Sequence, residues 1–152
     1  MERSEFEVEP GLVLVADRFP ARGAPRGAVL FAHGGGQTRH AWGGTARALA
    51  AAGLEALSLD LRGHGESGWA PDGDYATERF AADLVTVARR VDGPVALVGA
   101  SLGGLAGMLA AGELAPDAFA RLVFVDVTPR LEPEGVAGIV GFMRADLERG
   151  FG

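Results

Sequence analysis

The stretch that decides the fold runs from Pro94 to Gly104 and reads PVALVGASLGG. Its first half is a short apolar run, and apolar residues after Ser101 recur at three- and four-residue steps. This pattern predicts a strand, a very tight turn and a helix, with Ser101 at the apex. Gly99 and Gly103 flank the serine and remove the Cβ atoms that would clash in such a turn. A nucleophile requires this geometry, but a glycine-rich strand-to-helix turn without catalytic role has the same spacing.

Alternating strands and helices surround this stretch. Apolar runs predict strands over 5–9, 12–16, 28–32, 54–59, 95–98 and 122–125. Helical periodicity predicts helices over 41–52, 75–91, 102–115 and 135–149. After the initial hairpin, this order predicts an α/β fold, a mostly parallel sheet with helices on both faces. Ligands of such sheets bind beyond the carboxyl ends of the strands, where 33–37, 60–67, Ser101 and 126–128 would converge.

Composition narrows the classes of function. The chain has 152 residues, a net charge of −6 and no cysteine. The acidic balance argues against a nucleic-acid partner, and the lack of cysteine excludes thiolate metal sites and cysteine nucleophiles. The sequence shows no signal peptide and no membrane-spanning segment, so we expect a cytoplasmic protein. All 14 basic residues are arginine, which is typical of a GC-rich bacterial genome.

Three motifs occur in order: HGGGQTRHAW at 33–42, DLRGHGESG at 60–68 and GASLGG at 99–104. In these motifs the chain resembles the N-terminal half of an α/β-hydrolase, close to bacterial lactonases, carboxylesterases and cofactor-free haloperoxidases. The resemblance implies Ser101 as nucleophile and the backbone N–H groups of Gly35 and Leu102 as oxyanion donors. It implies acyl transfer on an ester, lactone or similar carbonyl of a small-molecule substrate, with neither cofactor nor metal.

The remaining polar residues of the three motifs receive less specific roles. Gly34 and Gly36 would let the backbone approach the substrate, and His40 and Trp42 would line or rim its pocket, with ordinary packing or surface roles as the alternative. The 60–68 motif is interpreted as structural. In it Asp60, Arg62 and Ser67 brace the loop by local hydrogen bonds, and His64 stabilises it; His33 is expected to bind the backbone of its own loop.

The resemblance is incomplete after Ser101. The family orders its triad as serine, acid, histidine, yet all three histidines of this chain precede Ser101. Asp126 follows the last predicted strand, a position some members use for the acid; otherwise it is a structural strand-end residue. We therefore expect an N-terminal fragment that is inactive alone, with residues 1–130 forming part of the hydrolase core and 131–152 the start of a helical cap.

Two other interpretations remain open. The chain could be a non-catalytic binding module that pairs its open sheet edge with another chain. It could also be a different α/β protein that binds a nucleotide at its glycine loops, although it lacks the Walker lysine and the G-x-G-x-x-G spacing. The sequence leaves the substrate and the oligomeric state undetermined.

Overall fold

A computed structural model describes residues 1–128, together with Gly138 and Gly141. The predicted helix over 135–149 and the domain boundary at 130/131 therefore lie outside the described residues, apart from those two glycines. No helix in the described part is long and apolar enough to cross a membrane.

Six strands and three α-helices alternate along the described chain. The strands are β1 (Glu2–Glu9), β2 (Leu12–Phe19), β3 (Ala28–Ala32), β4 (Glu55–Leu59), β5 (Val95–Ala100) and β6 (Arg121–Val125). The helices are α1 (Gly43–Ala51), α2 (Thr77–Ala88) and α3 (Leu102–Leu109). A 3₁₀ turn (Arg39–Trp42) precedes α1, and a π-helical turn (Ala110–Leu114) follows α3.

The strands form one sheet in the order β1-β2-β4-β3-β5-β6. Strand β2 is antiparallel to both of its neighbours, β1 and β4, whereas β3, β4, β5 and β6 are parallel to one another. Ala32 at the end of β3 is in register with Leu59 of β4 and with Gly99 of β5. The loops after these strands therefore leave the sheet at one edge, as the sequence predicts.

Helices cover both faces of the sheet. On one face, α2 and α3 pack over the larger apolar core, which includes Leu30, Leu57, Leu84 and Leu97. On the other face, α1 packs over a smaller cluster that includes Phe19, Val29 and Phe31. Strand β3 is buried along its whole length because it lies between both layers. The predicted α/β class and mostly parallel sheet are confirmed.

Several element boundaries differ from the prediction by a few residues. Strand β2 continues to Phe19 because its last residues pair with β4 and the Phe19 ring is buried. Helix α2 is shorter than 75–91 and spans 77–88. The helix after Ser101 is α-helical only to Leu109, and its last predicted turn is π-helical. The loop predicted over 61–74 continues to residue 76, because α2 begins at Thr77, and the strand–turn–helix around Ser101 is where the sequence places it.

Candidate active site

Ser101 lies at a strained turn between β5 and α3. Its backbone has φ 44° and ψ −111°, a conformation that residues other than glycine rarely adopt, and the residue is exposed. Such a conformation costs on the order of 1–3 kcal/mol and persists only where the surroundings enforce it. Here the Ser101 N–H donates to the Val125 carbonyl at 3.2 Å, and its carbonyl accepts from the Leu105 N–H at 2.9 Å.

The glycines on either side of Ser101 are required by backbone contacts. A Cβ on Gly103 would lie 2.5 Å from the carbonyl oxygen of Ala32, and one on Gly99 would lie 2.5 Å from the carbonyl oxygen of Gly103. These atoms belong to the main chain and cannot swing aside. The first turn of α3 thus packs directly on β3 and β5, which lifts Ser101 to the edge of the sheet.

The loop after β3 lies beside Ser101. The carbonyl of His33 accepts a hydrogen bond from the Gly103 N–H at 3.2 Å, which ties this loop to the start of α3. A Cβ on Gly34 would be 3.4 Å from the Cβ of Ser101, and one on Gly35 would be 4.0 Å from the Leu102 side chain. The structure therefore brings together the two predicted segments, 33–36 and 101–102.

The N–H groups of this loop are not equivalent. The Gly34 N–H donates to Gln37 Oε1 at 3.0 Å, and the Gly36 N–H donates to His64 Nε2 at 3.2 Å. Within residues 1–128 no acceptor is found for the N–H of Gly35 or for that of Leu102. The two predicted oxyanion donors are thus the main-chain N–H groups that the fold leaves without a protein acceptor here.

Two histidines connect the loop after β3 to the loop after β4. His33 Nε2 accepts the Leu61 N–H at 3.1 Å, so we assign the proton to Nδ1, which lies 2.7 Å from the Gly34 carbonyl. His64 Nε2 accepts the Gly36 N–H, and its Nδ1 lies 2.9 Å from the Arg62 carbonyl. Burial lowers the pKa of His33, and the neighbouring His64 lowers it further.

The 60–68 motif braces the site, but mainly through distant partners. Ser67 is the local brace: its hydroxyl donates to the Asp60 carbonyl at 2.7 Å and accepts the Val15 N–H at 2.8 Å. The buried Arg62 guanidinium instead reaches Asp83 of α2 through two hydrogen bonds of 2.7 Å, and Glu9 of β1 at 2.8 Å. The predicted local role of Arg62 is only part of the result: its Nη1 donates to the Asp74 carbonyl of the same loop at 3.3 Å, but its shorter bonds join the loop to two other elements.

Arg39 is the buried residue that sequence reasoning missed. Its guanidinium contacts Asp17 Oδ1 at 3.0 Å, Asp60 Oδ2 at 2.5 Å and Glu66 Oε2 at 3.0 Å. Burial alone would raise the pKa of Asp60, but hydrogen bonds from the N–H groups of Arg39 and Glu66 and from the Arg39 side chain lower it. The sequence shows only that an arginine lies in the 33–42 motif. Its three carboxylate partners are distant along the chain, so no local pattern indicates them.

Asp126 follows β6 and has a left-handed backbone, with φ 51°. Aspartate tolerates this conformation better than most residues, because its short side chain can satisfy nearby backbone groups. Residue 126 is exposed, and its role as the triad acid stays a prediction.

The two predicted pocket residues lie in different surroundings. The His40 side chain is 68% exposed, and its Nδ1 lies 3.6 Å from Asp17 Oδ2. The Trp42 ring stacks on Phe31 with 5.1 Å between ring centroids, in the cluster beneath α1. Its indole Nε1 is buried and has no hydrogen-bond partner in the described part. A pocket role for either residue stays a prediction.

Cation sites are not evident in the part of the chain that the structure describes. Among residues 1–128, no group of three or more histidine, aspartate or glutamate side chains could hold a metal ion. The polar groups beside Ser101 are backbone amides, which suit a developing negative charge on oxygen.

Comparison with known proteins points to one family. The family model described as the alpha/beta hydrolase fold matches residues 27–151. Esterase Rv0045c of Mycobacterium tuberculosis is 44% identical over 107 residues, which cover 70% of this chain and 34% of the relative. Mouse protein phosphatase methylesterase 1 is 32% identical over 152 residues, covering 95% of this chain and 38% of the relative.

Solved structures give the same result. The crystal structure of an alpha/beta hydrolase from Novosphingobium aromaticivorans has a TM-score of 0.80 and 28% identity, covering 93% of this chain and 49% of the other. The structure of E-2-(acetamidomethylene)succinate hydrolase has a TM-score of 0.81 and 25% identity, covering 95% of this chain and 51% of that one. The chain spans about a third of the length of these curated relatives and about half of these solved chains. The strand–turn–helix around Ser101 and the glycine-rich loop 33–36 fit this family, and the family model matches most of the chain. The chain belongs to the alpha/beta hydrolase fold family.

Proposed function

We propose that the protein containing this chain is a serine hydrolase that cleaves an ester, lactone or similar carbonyl compound of small size. The observation that carries the proposal is the exposed Ser101 at φ 44°, next to the N–H groups of Gly35 and Leu102, for which residues 1–128 supply no acceptor. The class of the relatives supports it, since an esterase and a methylesterase are among them.

The chemistry follows from these groups. Ser101 Oγ bonds to the carbonyl carbon, and the carbonyl oxygen takes the negative charge between the two N–H donors. The bond to the leaving alkoxide then breaks, and the alcohol departs with the proton that a general base removed from the serine. Water hydrolyses the acyl-enzyme and restores the hydroxyl. An oxyanion donor of this kind typically lowers the barrier by about 3–4 kcal/mol.

The general base is not supplied by His33 or His64. Both use their Nε2 lone pair to accept a main-chain N–H and their Nδ1 proton to donate to a carbonyl. His40 is mostly exposed and faces Asp17. We therefore expect residues 1–152 alone to lack appreciable esterase activity, because a serine without its base loses several orders of magnitude in rate.

The test uses the longest natural chain that contains residues 1–152. Incubation with a fluorophosphonate probe should label the protein, and Ser101→Ala should abolish both labelling and hydrolysis of p-nitrophenyl acetate. Ser4→Ala is the matched control, since it removes a hydroxyl from β1 and should change neither. Labelling that survives Ser101→Ala would overturn the proposal.

A further inference from the structure

Two imidazole rings from different loops meet beside the glycine loop. The rings of His33 and His64 have centroids 4.9 Å apart and an interplanar angle of 61°. The ring of His33 is fully buried after β3, whereas His64 belongs to the loop after β4. Neither ring serves the reaction outlined above, yet each makes two hydrogen bonds to main-chain groups.

The geometry points to a positioning role for His64: we infer that its Nε2 fixes the peptide after Gly35 and so restrains the adjoining peptide, which carries the oxyanion donor. This inference rests on the proposed function, because it concerns the same donor. His64 is not expected to touch the substrate; it acts through the loop.

The argument concerns the two peptide planes on either side of Gly35. In a trans peptide the C=O and N–H groups point in opposite directions. The Gly34 carbonyl is held by His33 Nδ1 at 2.7 Å and by the Gln37 N–H at 3.1 Å, which directs the Gly35 N–H the other way. On the other plane, His64 Nε2 holds the Gly36 N–H at 3.2 Å. With both planes fixed, Gly35 has little freedom to rotate its N–H away.

Glycines make this restraint necessary. Three consecutive glycines allow the backbone to approach a substrate, but they also permit many backbone conformations, including the positive φ of 75° at Gly36. Loss of the His64 acceptor would leave the 35–36 peptide free to turn. The donor would then be ordered during the reaction instead of before it, and this lowers the rate of the chemical step more than substrate binding.

The hydrogen bond itself can be measured on the 152-residue chain. An N–H···N bond transmits a scalar coupling between its two nitrogen nuclei. In ¹⁵N-labelled protein we expect a cross-peak between the Gly36 amide and His64 Nε2. His40→Ala, which removes an exposed ring, should leave the cross-peak in place. Its absence in the unmodified chain would overturn the inference without bearing on Ser101.

Activity is measured on the longest natural chain that contains these residues. His64→Ala should lower kcat for p-nitrophenyl acetate by about 10- to 100-fold, less than the 10²–10³ typical of deleting a donor, and change KM by less than about threefold. His64→Gln should recover part of kcat, because its Oε1 can accept the Gly36 N–H. Glu78→Gln on the exposed side of α2 is the control and should match the unmodified protein.

The outcomes separate the two proposals. An unchanged kcat in His64→Ala, with activity that still depends on Ser101, overturns the positioning role alone. Activity that survives Ser101→Ala overturns the proposed function, whatever the variants of His64 do. If His64→Ala does not fold, two other measurements decide. Absence of the cross-peak in the unmodified chain counts against the inference. A kcat of His64→Gln as low as that of Ser101→Ala also counts against it.

Discussion

At the scale of single residues, the glycines of α3 and of the turn that follows it differ in the space available for an added methyl group. A methyl group on Gly103 would lie 2.5 Å from the Ala32 carbonyl oxygen and 2.7 Å from the Ala32 Cβ. A methyl group on Gly112, in the π-helical turn, would meet no atom within 4 Å. The same change therefore tests close packing at one position and backbone entropy at the other.

We expect Gly103→Ala to destabilise the fold by about 1–3 kcal/mol, because the first turn of α3 must move away from β3. Gly112→Ala should be neutral or stabilise the fold by up to about 1 kcal/mol, since it restricts the unfolded chain. Urea unfolding followed by circular dichroism measures both. Equal stability of the two variants would contradict the close packing of α3 on β3.

His33 makes the stability of the fold depend on pH near neutrality. Burial, with the neighbouring His64, lowers its pKa below the ordinary value of 6.5. The unfolded state then binds the proton more tightly than the folded state, so stability is complete above about pH 6.5 and falls as the pH drops through the lowered pKa. The titratable groups near His33 are His64 and Asp60. The pKa of Asp60 is lowered from 3.8, so its carboxyl stays ionised over the pH range in which His33 takes up its proton.

The measurement is the free energy of unfolding in urea at pH 7.5 and pH 5.5. The unmodified chain and His40→Ala should lose stability to the same extent between these values, because His40 is exposed. His33→Asn should be less stable at pH 7.5 but show a smaller pH dependence. A pH dependence that His33→Asn leaves unchanged would assign the proton to another group.

At the scale of elements, Arg62 connects the loop after β4 with α2 and β1. Arg62 and Asp83 are both buried, and burial raises the pKa of the Asp83 carboxyl although Arg62 hydrogen-bonds to it. Asp83 therefore depends on the guanidinium for its charge. Removal of Arg62 leaves a buried carboxylate without its partner, which typically costs about 3–5 kcal/mol.

We expect Arg62→Leu to lose stability of that size at pH 7.5 and to lose less at pH 5, where the Asp83 carboxyl can take up a proton. The sign follows from the raised pKa, because the folded state binds this proton more tightly. The double variant Arg62→Leu/Asp83→Leu should regain most of the loss, since it leaves no buried charge. Thermal unfolding at the two pH values measures this; a double variant as unstable as the single one would contradict it.

At the scale of the whole molecule, the hydrophobic periodicity predicted six strands and the helices covering them. Short-range patterns suffice for this, since alternating runs and glycine turns are local. The sheet order β1-β2-β4-β3-β5-β6 is not local and was not predicted. The candidate site shows the same difference between local and distant patterns. Ser101, Gly35 and Leu102 lie in recognisable motifs and were predicted. The ion pairs of Arg39 with Asp17 and of Arg62 with Asp83 join residues 22 and 21 positions apart, and no local pattern indicates them.

Strand β6 ends the sheet, and its outer edge pairs with no other strand among residues 1–128. Its apolar side chains are exposed, from 38% for Leu122 and Phe124 to 49% for Val123. Leu122 and Phe124 also line a shallow apolar depression with Met108 of α3. An apolar edge of this kind pairs readily with another chain. We therefore expect the isolated 152-residue chain to self-associate as its concentration rises.

The test compares two substitutions that add the same charge. Val123→Lys places a lysine on the open edge, where it should oppose strand pairing and weaken association by about tenfold or more. Leu114→Lys alters a side chain that is also 49% exposed but lies in the π-helical turn, and it should associate like the unmodified chain. Sedimentation velocity over a range of concentrations measures the difference. A discrete, stable assembly that only Val123→Lys dissolves would favour the binding-module alternative, and equal association of all three proteins would show that β6 is not the contact.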